Sequence, residues 1–366
     1  LYCVGCEAFY EPEELTKAGE CPEHPGKKLE VVEEENYFFR LAKYQERILE
    51  LIRSDKLTIV PETRRNEVLA FLERPLEDIS ISRTNERARN WGVAVPGDDS
   101  QRIYVWFDAL NIYQSGVGFG WDEERYQKWW PADVHLIGKG ITRFHAIYWP
   151  AFLLSAGLPT PRSLAVHGYL TVDGKKMSKT IGNVVDPFEL ISRYGADPLR
   201  YFLLRGVPFG EDGDFSEEKL AAVYNGELAN GLGNLVARIA TLGERVSPFV
   251  SAIPQNAVLA IREAVSDAHY AVTNATALFR FHEALGALGR VIAVADRYIS
   301  EEKPWEIHDP QKLREVIANA AYIAVTVGTL LEPFLPRTAE RIAEQIRYEN
   351  GAFLFKKGPA LFPRLH

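Results

Sequence analysis

Methionine is almost absent from this 366-residue chain, which has only Met177, and the three cysteines all fall within the first 21 residues. An odd number of clustered thiols does not suit the disulfide framework of a secreted protein. Long hydrophobic runs are also lacking. The longest uncharged, apolar-rich stretch, Val316–Leu331, has 16 residues and includes Asn319, Thr326 and Gly328. A membrane span needs about 20 apolar residues, so this stretch reads as a buried bundle helix and no membrane is expected. The opening Leu1-Tyr2-Cys3-Val4 has no initiator methionine, and neither the basic nor the apolar region of a signal peptide follows it. The expectation is a cytoplasmic chain that lacks residues at its front. Basic excess is missing too: the formal net charge is −8. Residues 1–35 hold three lysines against ten acidic residues, so nearly all of that charge is local. A general polycationic binder, which needs a basic stripe, is excluded; nucleic-acid binding elsewhere on the chain is not.

The rest is an ordinary globular composition, 46% hydrophobic and 25% charged, which excludes a disordered or fibrous chain. The length suggests two to three domains of roughly 150 residues. Residues 1 to about 35 are acidic and turn-rich. Residues 36–75 carry a helical pattern through Phe39, Tyr44, Ile48, Leu51 and Ile52, then Val68, Leu69 and Leu72. Ile79–Ser82 alternates like a short strand. From residue 102 the pattern changes. Ile103–Phe107, Val134–Gly138 and Ala165–Val172 read as buried strands, with helical stretches between them; Thr142 and Gly157 mark the limits of the second. Strands alternating with helices predict a parallel α/β sheet, here only half of the usual two-part nucleotide-binding fold. After about residue 225 the stripes Leu285-Leu288-Ile292-Ala295-Ile299 and Ile317-Ala321-Ala324-Val327-Leu331 predict an antiparallel helix bundle.

Two motifs carry chemistry. Cys3-x2-Cys6 and Cys21-x2-His24 are two short chelating pairs 14 residues apart. Each pair grips from one tight turn and the loop brings the turns together, which suits tetrahedral zinc with a full shell and no open position. The expectation is one structural Zn2+. The second motif is Asp173-Gly174-Lys175-Lys176-Met177-Ser178-Lys179-Thr180, directly after the third predicted strand. The carboxyl ends of parallel strands are where open α/β sheets place ligands, and lysines there can neutralise a departing polyphosphate.

Lys176-Met177-Ser178-Lys179-Thr180 resembles the signature loop of class I aminoacyl-tRNA synthetases. Tyr104-Val105-Trp106-Phe107-Asp108-Ala109, Ile137-Gly138-Lys139, Phe144-His145-x3-Trp149-Pro150, Val166-His167-Gly168-Tyr169, Lys303-Pro304-Trp305 and the four zinc ligands narrow the resemblance to methionyl-tRNA synthetases. It extends over essentially the whole chain. It implies the second half of a class I Rossmann-like catalytic domain with a zinc-knuckle connective insertion, followed by an α-helical anticodon-binding bundle. The implied boundaries are a connective region at 1–101, the catalytic half at 102–172, a signature loop and stem-contact segment at 173–228, and an anticodon-binding domain at 229–366. The implied reaction joins L-methionine to ATP, with Mg2+, and passes methionine from the adenylate to tRNA(Met).

The resemblance also implies roles residue by residue. Trp106, Ala109, Tyr113, Ile141 and His145 would line a methionine pocket, where aromatic walls suit a soft thioether. Gly138, His167, Lys176 and Lys179 would bind ATP, the two lysines being catalytic. Asn230, Asn234, Arg238 and Trp305 would read the anticodon, by hydrogen bonds and by stacking.

Two departures from the family pattern stand out. No His-x-Gly-His, the family's other ATP-binding signature, occurs in the sequence, so the N-terminal half of the catalytic domain is expected to be missing. Gly140 stands where the family usually has an aspartate near the ribose, able to pair with the arginine matching Arg83. These departures leave a catalytically silent tRNA-binding relative as the alternative. The retained Lys176, Lys179 and Trp106 favour the enzyme.

Overall fold

Helix Gln45–Arg53 buries Ile48, Leu49 and Ile52 on one face, as the periodicity of 36–75 predicts. That stretch is not helical throughout, however: strand Thr58–Val60 interrupts it before helix Glu62–Leu72. The structure, a computed structural model, describes residues 1–3, 8–10, 12, 15–22, 26, 29–31, 34–177, 182–246, 249–250 and 258–365. The chain divides into two compact units. One comprises Leu1–Leu57, Val68–Asp133 and Arg143–Arg162; the other comprises Thr58–Glu67, Val134–Thr142 and Ser163–His366.

In the first unit, Tyr2–Cys3 pairs with Ala8–Phe9 in a short antiparallel ladder. Ser82–Thr84, Asp98–Ile103 and Ala94–Val95 form an antiparallel sheet with the long strand in the middle. Ile103–Phe107 is therefore not a strand of a parallel sheet. Ile103 ends the antiparallel strand, Tyr104 stays extended, and Val105–Ala109 turns into a helix. A short apolar run fits either conformation by periodicity, and here the helix faces a core of Leu110, Tyr126, Trp130, Trp149 and Leu153, against which Trp106, Tyr113 and Phe144 pack. A π-helical turn, Phe144–Tyr148, leads into helix Trp149–Ala156. Gly157, at φ +71°, closes that helix in the left-handed conformation a glycine takes most easily. Thr142 does not cap it; its hydroxyl donates to the Lys139 carbonyl, in the turn before the helix.

The second unit holds the parallel sheet. Strands β1 (Thr58–Val60), β2 (His135–Gly138) and β3 (Ser163–His167) lie in the order β1-β3-β2, all parallel. Their central residues Ile59, Ile137, Leu164, Ala165 and Val166 are buried. Strand β4 (Leu170–Val172) pairs antiparallel with β5 (Lys175–Lys176) and parallel with β6 (Gly213–Phe215).

The helices of this unit follow: α1 (Asn234–Glu244), α2 (Leu259–Ala277), α3 (Phe281–Glu302), α4 (Pro310–Leu331) and α5 (Pro336–Gln345). Helix α4 is long and apolar enough to cross a membrane by length and composition. Its Ile317, Ala321, Ala324, Val327 and Leu331 are buried in the bundle core together with Leu285, Leu288 and Ile299 of α3. The helical stripes thus pack as predicted. The buried Asp197 carboxylate accepts from both the backbone N–H and the hydroxyl of Thr338, at 2.6 and 2.7 Å, and so ties residues 196–206 to the first turn of α5. The bundle also carries an unforeseen antiparallel sheet of β7 (Phe249–Val250), β8 (Ile346–Glu349) and β9 (Ala352–Phe355). Asn350 and Gly351, at φ +51° and +78°, form the two-residue turn between β8 and β9. Asn-Gly between apolar residues is a strong hairpin signal that the helical reading passed over.

Candidate functional site

His145 is 1% exposed and comes from the π-helical turn. Insertions of this kind re-aim side chains and are frequent at functional sites. Three rings close around it within the first unit. Tyr113 Oη and His145 Nε2 share a hydrogen bond of 2.8 Å. Trp106 stands edge-on to the imidazole at 6.4 Å between centroids, and stacks on Phe144 at 4.2 Å and 15°. Burial raises the Tyr113 phenol above its ordinary value, so it stays protonated at neutral pH. Trp106, Tyr113 and Phe144 are half-buried, and Ala109 is exposed on the short helix that carries Trp106. The result is an aromatic cluster with one polar pair, Tyr113 and His145, inside it. Tyr113→Phe removes the bond to a buried imidazole nitrogen. It is expected to lower unfolding free energy by about 1–3 kcal/mol, as denaturant titration would read it.

In the second unit, the predicted ATP residues Gly138 and His167 sit opposite each other at the carboxyl ends of β2 and β3. A side chain at Gly138 would meet the imidazole of His167 at 3.4 Å. The His167 Nδ1 lies 2.8 Å from the Gly168 carbonyl. Ile141, predicted for the methionine pocket, lies in this unit, half-buried in the turn after β2. Beside it is a cluster that the sequence did not reveal. Lys139 Nζ bonds Asp212 at 2.7 Å and lies 4.8 Å from the centre of the Tyr169 ring. The other Asp212 oxygen accepts from the Tyr169 backbone N–H at 2.8 Å. The hydrogen bond from Lys139 first, then that from the Tyr169 N–H, hold the Asp212 carboxyl below the usual carboxylate range. Lys139 and Asp212 are 73 residues apart, so no local pattern could have joined them. The cluster also accounts for Gly140: a side chain there would run into the Tyr169 hydroxyl. Arg83, in the first unit, is buried, with its guanidinium 4.1 Å from the centre of the Tyr104 ring.

The signature segment begins on a hairpin. Asp173 and Gly174, at φ +53° and +70°, turn β4 into β5. Asp214 accepts from the Gly174 N–H at 2.9 Å and the Thr171 hydroxyl at 2.8 Å. Met177 packs against a core of Leu190, Leu199, Phe202, Phe215 and Leu220. The Lys176 side chain and Lys179 lie outside the described residues.

Asn230 and Asn234 are exposed and Arg238 half-buried, spaced four apart from the π-helical segment Tyr224–Gly233 into α1. Trp305 is 50% exposed. Its ring centre lies 5.9 Å from the Arg238 guanidinium, so at least these two members of the predicted anticodon set come together. Of the four predicted zinc ligands, Cys3 and Cys21 are both buried, at 1% and 0% exposure. Cys6 and His24 lie outside the described residues.

The family described as tRNA synthetases class I (M) matches residues 1–240. The chain is 40% identical to a methionine–tRNA ligase of Thermotoga maritima over 95% of its own length, and 41% identical to one of Brucella suis over 94%. It spans 56% of the length of the first relative and 67% of the second. A solved Mycobacterium tuberculosis methionyl-tRNA synthetase in complex with methionyl-adenylate superposes with a TM-score of 0.89 at 34% identity, covering 99% of this chain and 76% of that one. The fold is accordingly the class I synthetase fold, mixed α/β with a helical C-terminal region. With the family matched over residues 1–240, and relatives and a solved structure alike over 94% and 99% of the chain, the chain belongs to the methionyl-tRNA synthetases of class I.

Proposed function

We propose that this chain is the core of a methionine–tRNA ligase, which activates L-methionine with ATP and transfers it to tRNA(Met). The observation that carries the reading is the aromatic cluster around His145. Trp106 and Tyr113 give polarisable surfaces for a thioether, and the Tyr113 hydroxyl, bonded to the buried His145, gives a fixed polar group beside them. On this reading Ala109, exposed on the helix that carries Trp106, belongs with them, and Ile141 keeps the methionine-binding role that the resemblance implies. Gly138 lets the nucleotide approach the backbone at the end of β2, beside His167. The methionine carboxylate attacks the α-phosphorus in line, and Lys176 and Lys179 stabilise the departing pyrophosphate. Magnesium bound with ATP would offset part of the phosphate charge.

The same reading assigns residues 1–101 to a connective region, 102–172 to the catalytic half, 173–228 to the signature and stem-contact segment, and 229–366 to anticodon binding. Zinc would be held by Cys3, Cys6, Cys21 and His24. Two buried thiols in so acidic a segment are the donor chemistry that a structural zinc site needs. Asn230, Asn234, Arg238 and Trp305 would meet the anticodon loop, which supports placing the protein with the translation machinery of the cytoplasm.

One comparison in the full-length enzyme tests the assignment. Wild type should show methionine-dependent ATP–pyrophosphate exchange. Trp305→Ala should leave that exchange intact while weakening tRNA charging by the loss of one stacked base, about 1–3 kcal/mol. Equal loss of both activities would count against the separation of roles. No exchange in the wild type would remove the ligase reading and leave a tRNA-binding relative.

A further inference from the structure

Arg238 on α1 is flanked on two sides. Its Nη1 donates to Asp296 Oδ1 of α3 at 3.2 Å, and its guanidinium carbon lies 5.9 Å from the centre of the Trp305 ring. The side chains of Arg238 and Asp296 are 29% and 31% exposed, so the pair sits at the surface without being fully solvated. The backbone that brings Trp305 here is strained. Lys303 caps α3 at φ +45° and ψ +59°, a left-handed conformation that a lysine adopts at a cost. Pro304 follows, and the Glu306 N–H bonds back to the Lys303 carbonyl at 2.8 Å.

A half-exposed ion pair contributes little to stability, so holding α1 to α3 is a weak reason for it. Its consequences for a polyanion are larger. A lone arginine beside an RNA loop is a phosphate clamp, strong, salt-dependent and blind to sequence. An arginine pinned by a carboxylate has its plane fixed and its charge offset, while the rest of its five N–H donors stay directional. The carboxylate repels phosphate and can accept from an exocyclic base amine, such as cytosine N4 or adenine N6. Burial pushes the Asp296 carboxyl up, and the Arg238 charge opposes that shift.

We infer that Asp296 is a positioning and specificity residue of the RNA-binding face: it holds Arg238 against Trp305 and cancels its net charge, so that the trio reads base edges instead of phosphates. The inference rests on the reading that this face takes the anticodon loop.

The test uses the full chain and two RNA hairpins, one with the loop triplet CAU that complements the methionine codon and one with a single base of that triplet changed. Affinities are measured by fluorescence anisotropy over a salt series. Wild type should prefer the CAU hairpin. Asp296→Asn, nearly isosteric but uncharged, should lose about tenfold of that preference, the scale of one base contact. It should also steepen the log–log salt slope by about one, as a freed cation takes a phosphate. Adding Arg238→Gln to Asp296→Asn should return the slope to the wild-type value. Overturning results are an Asp296→Asn protein with wild-type slope and preference, or a slope that stays steep in the double variant. A wild type with no preference between the hairpins would defeat the anticodon reading itself, and this inference with it.

Discussion

Lys179→Ala in the full-length enzyme should slow methionine-dependent ATP–pyrophosphate exchange by about 10²–10³, the usual loss when one preorganised donor to developing charge is removed. The described residues on either side explain why one lysine matters so much. The hairpin Asp173-Gly174 is tied down by Asp214, which accepts from Gly174 and Thr171. Strand β5 pairs Lys175 and Lys176 with Val172 and Thr171. Met177, the only methionine, anchors the next position in the Leu190–Phe202–Phe215 core. Downstream, Asp186 caps helix Pro187–Tyr194 by accepting from the Phe188 N–H. The chain is therefore fixed up to two residues before Lys179 and again seven residues after it. Adenylate formation needs no covalent bond to the protein, so its catalysis is positioning plus charge. The loss should fall on kcat, with the KM for methionine little changed, because the lysine meets charge that develops as pyrophosphate leaves. A thermal melt matching wild type is the control. Exchange within a factor of two of wild type would sink the assignment of Lys179.

What the sequence made legible, and what it did not, separates by the range of the interaction. The bundle stripes of α3 and α4 repeat every three to four residues and were readable because their burial is a property of each helix alone. The strand His135–Gly138 was readable as a compact apolar run ending in glycine, whereas Ala165–Val172, read as one strand, holds the end of β3 and all of β4, which belong to different sheets. Thr58–Val60 was missed: three residues between two helices give no period, and only pairing with β3 makes them a strand. Val105–Ala109 was misread because periodicity cannot tell a short buried strand from a helical turn. Within the site, Trp106, Tyr113 and His145 could be named from sequence through the resemblance. Their arrangement could not, since the π-helical turn that aims His145 leaves no trace in composition. Phe144, which stacks on Trp106, was visible only as part of a motif. Asp212 and Asp296 were invisible, because each acts on a cation 58 or more residues away in the chain. Gly140 was read as a lost carboxylate. The structure adds that the Tyr169 hydroxyl stands where that side chain would go, so replacing Gly140 alone would not restore the family's arrangement.

Removing zinc should have the largest local effect. Residues 1–35 carry ten acidic groups against three lysines, and their self-repulsion opposes folding. Few described apolar side chains of this segment are buried: Tyr2, Cys3 and Cys21. Three buried side chains cannot by themselves offset the chain entropy of ordering even the described residues of this segment, at roughly 1–2 kcal/mol each for the backbone alone. The Tyr2–Phe9 ladder, the Tyr2–Glu30 bridge, and Arg87, which pairs with Glu30 and Glu34 and lies 4.8 Å from the Tyr2 ring centre, add local order. The Arg87–Glu30 pair is partly exposed and the Arg87–Glu34 pair mostly buried; a solvated pair contributes at most about 1 kcal/mol. A structural zinc site contributes an apparent ~10–16 kcal/mol near neutral pH, which is the scale required. Protein purified without chelator should carry one zinc per chain by atomic absorption, and Cys3→Ser should retain far less. Stripping the metal should open residues 1–35 to protease and to hydrogen exchange while the helix bundle, with its own core around Leu285 and Val327, keeps its protection. The converse outcome, equal protection of this segment with and without metal, would mean that its contacts suffice and that the four ligands do not form a zinc site. Acid gives an independent check on the same point. Metal-bound thiolates must be protonated before zinc leaves, so release should track falling pH and precede unfolding of the bundle; release only together with bundle unfolding would place the metal elsewhere.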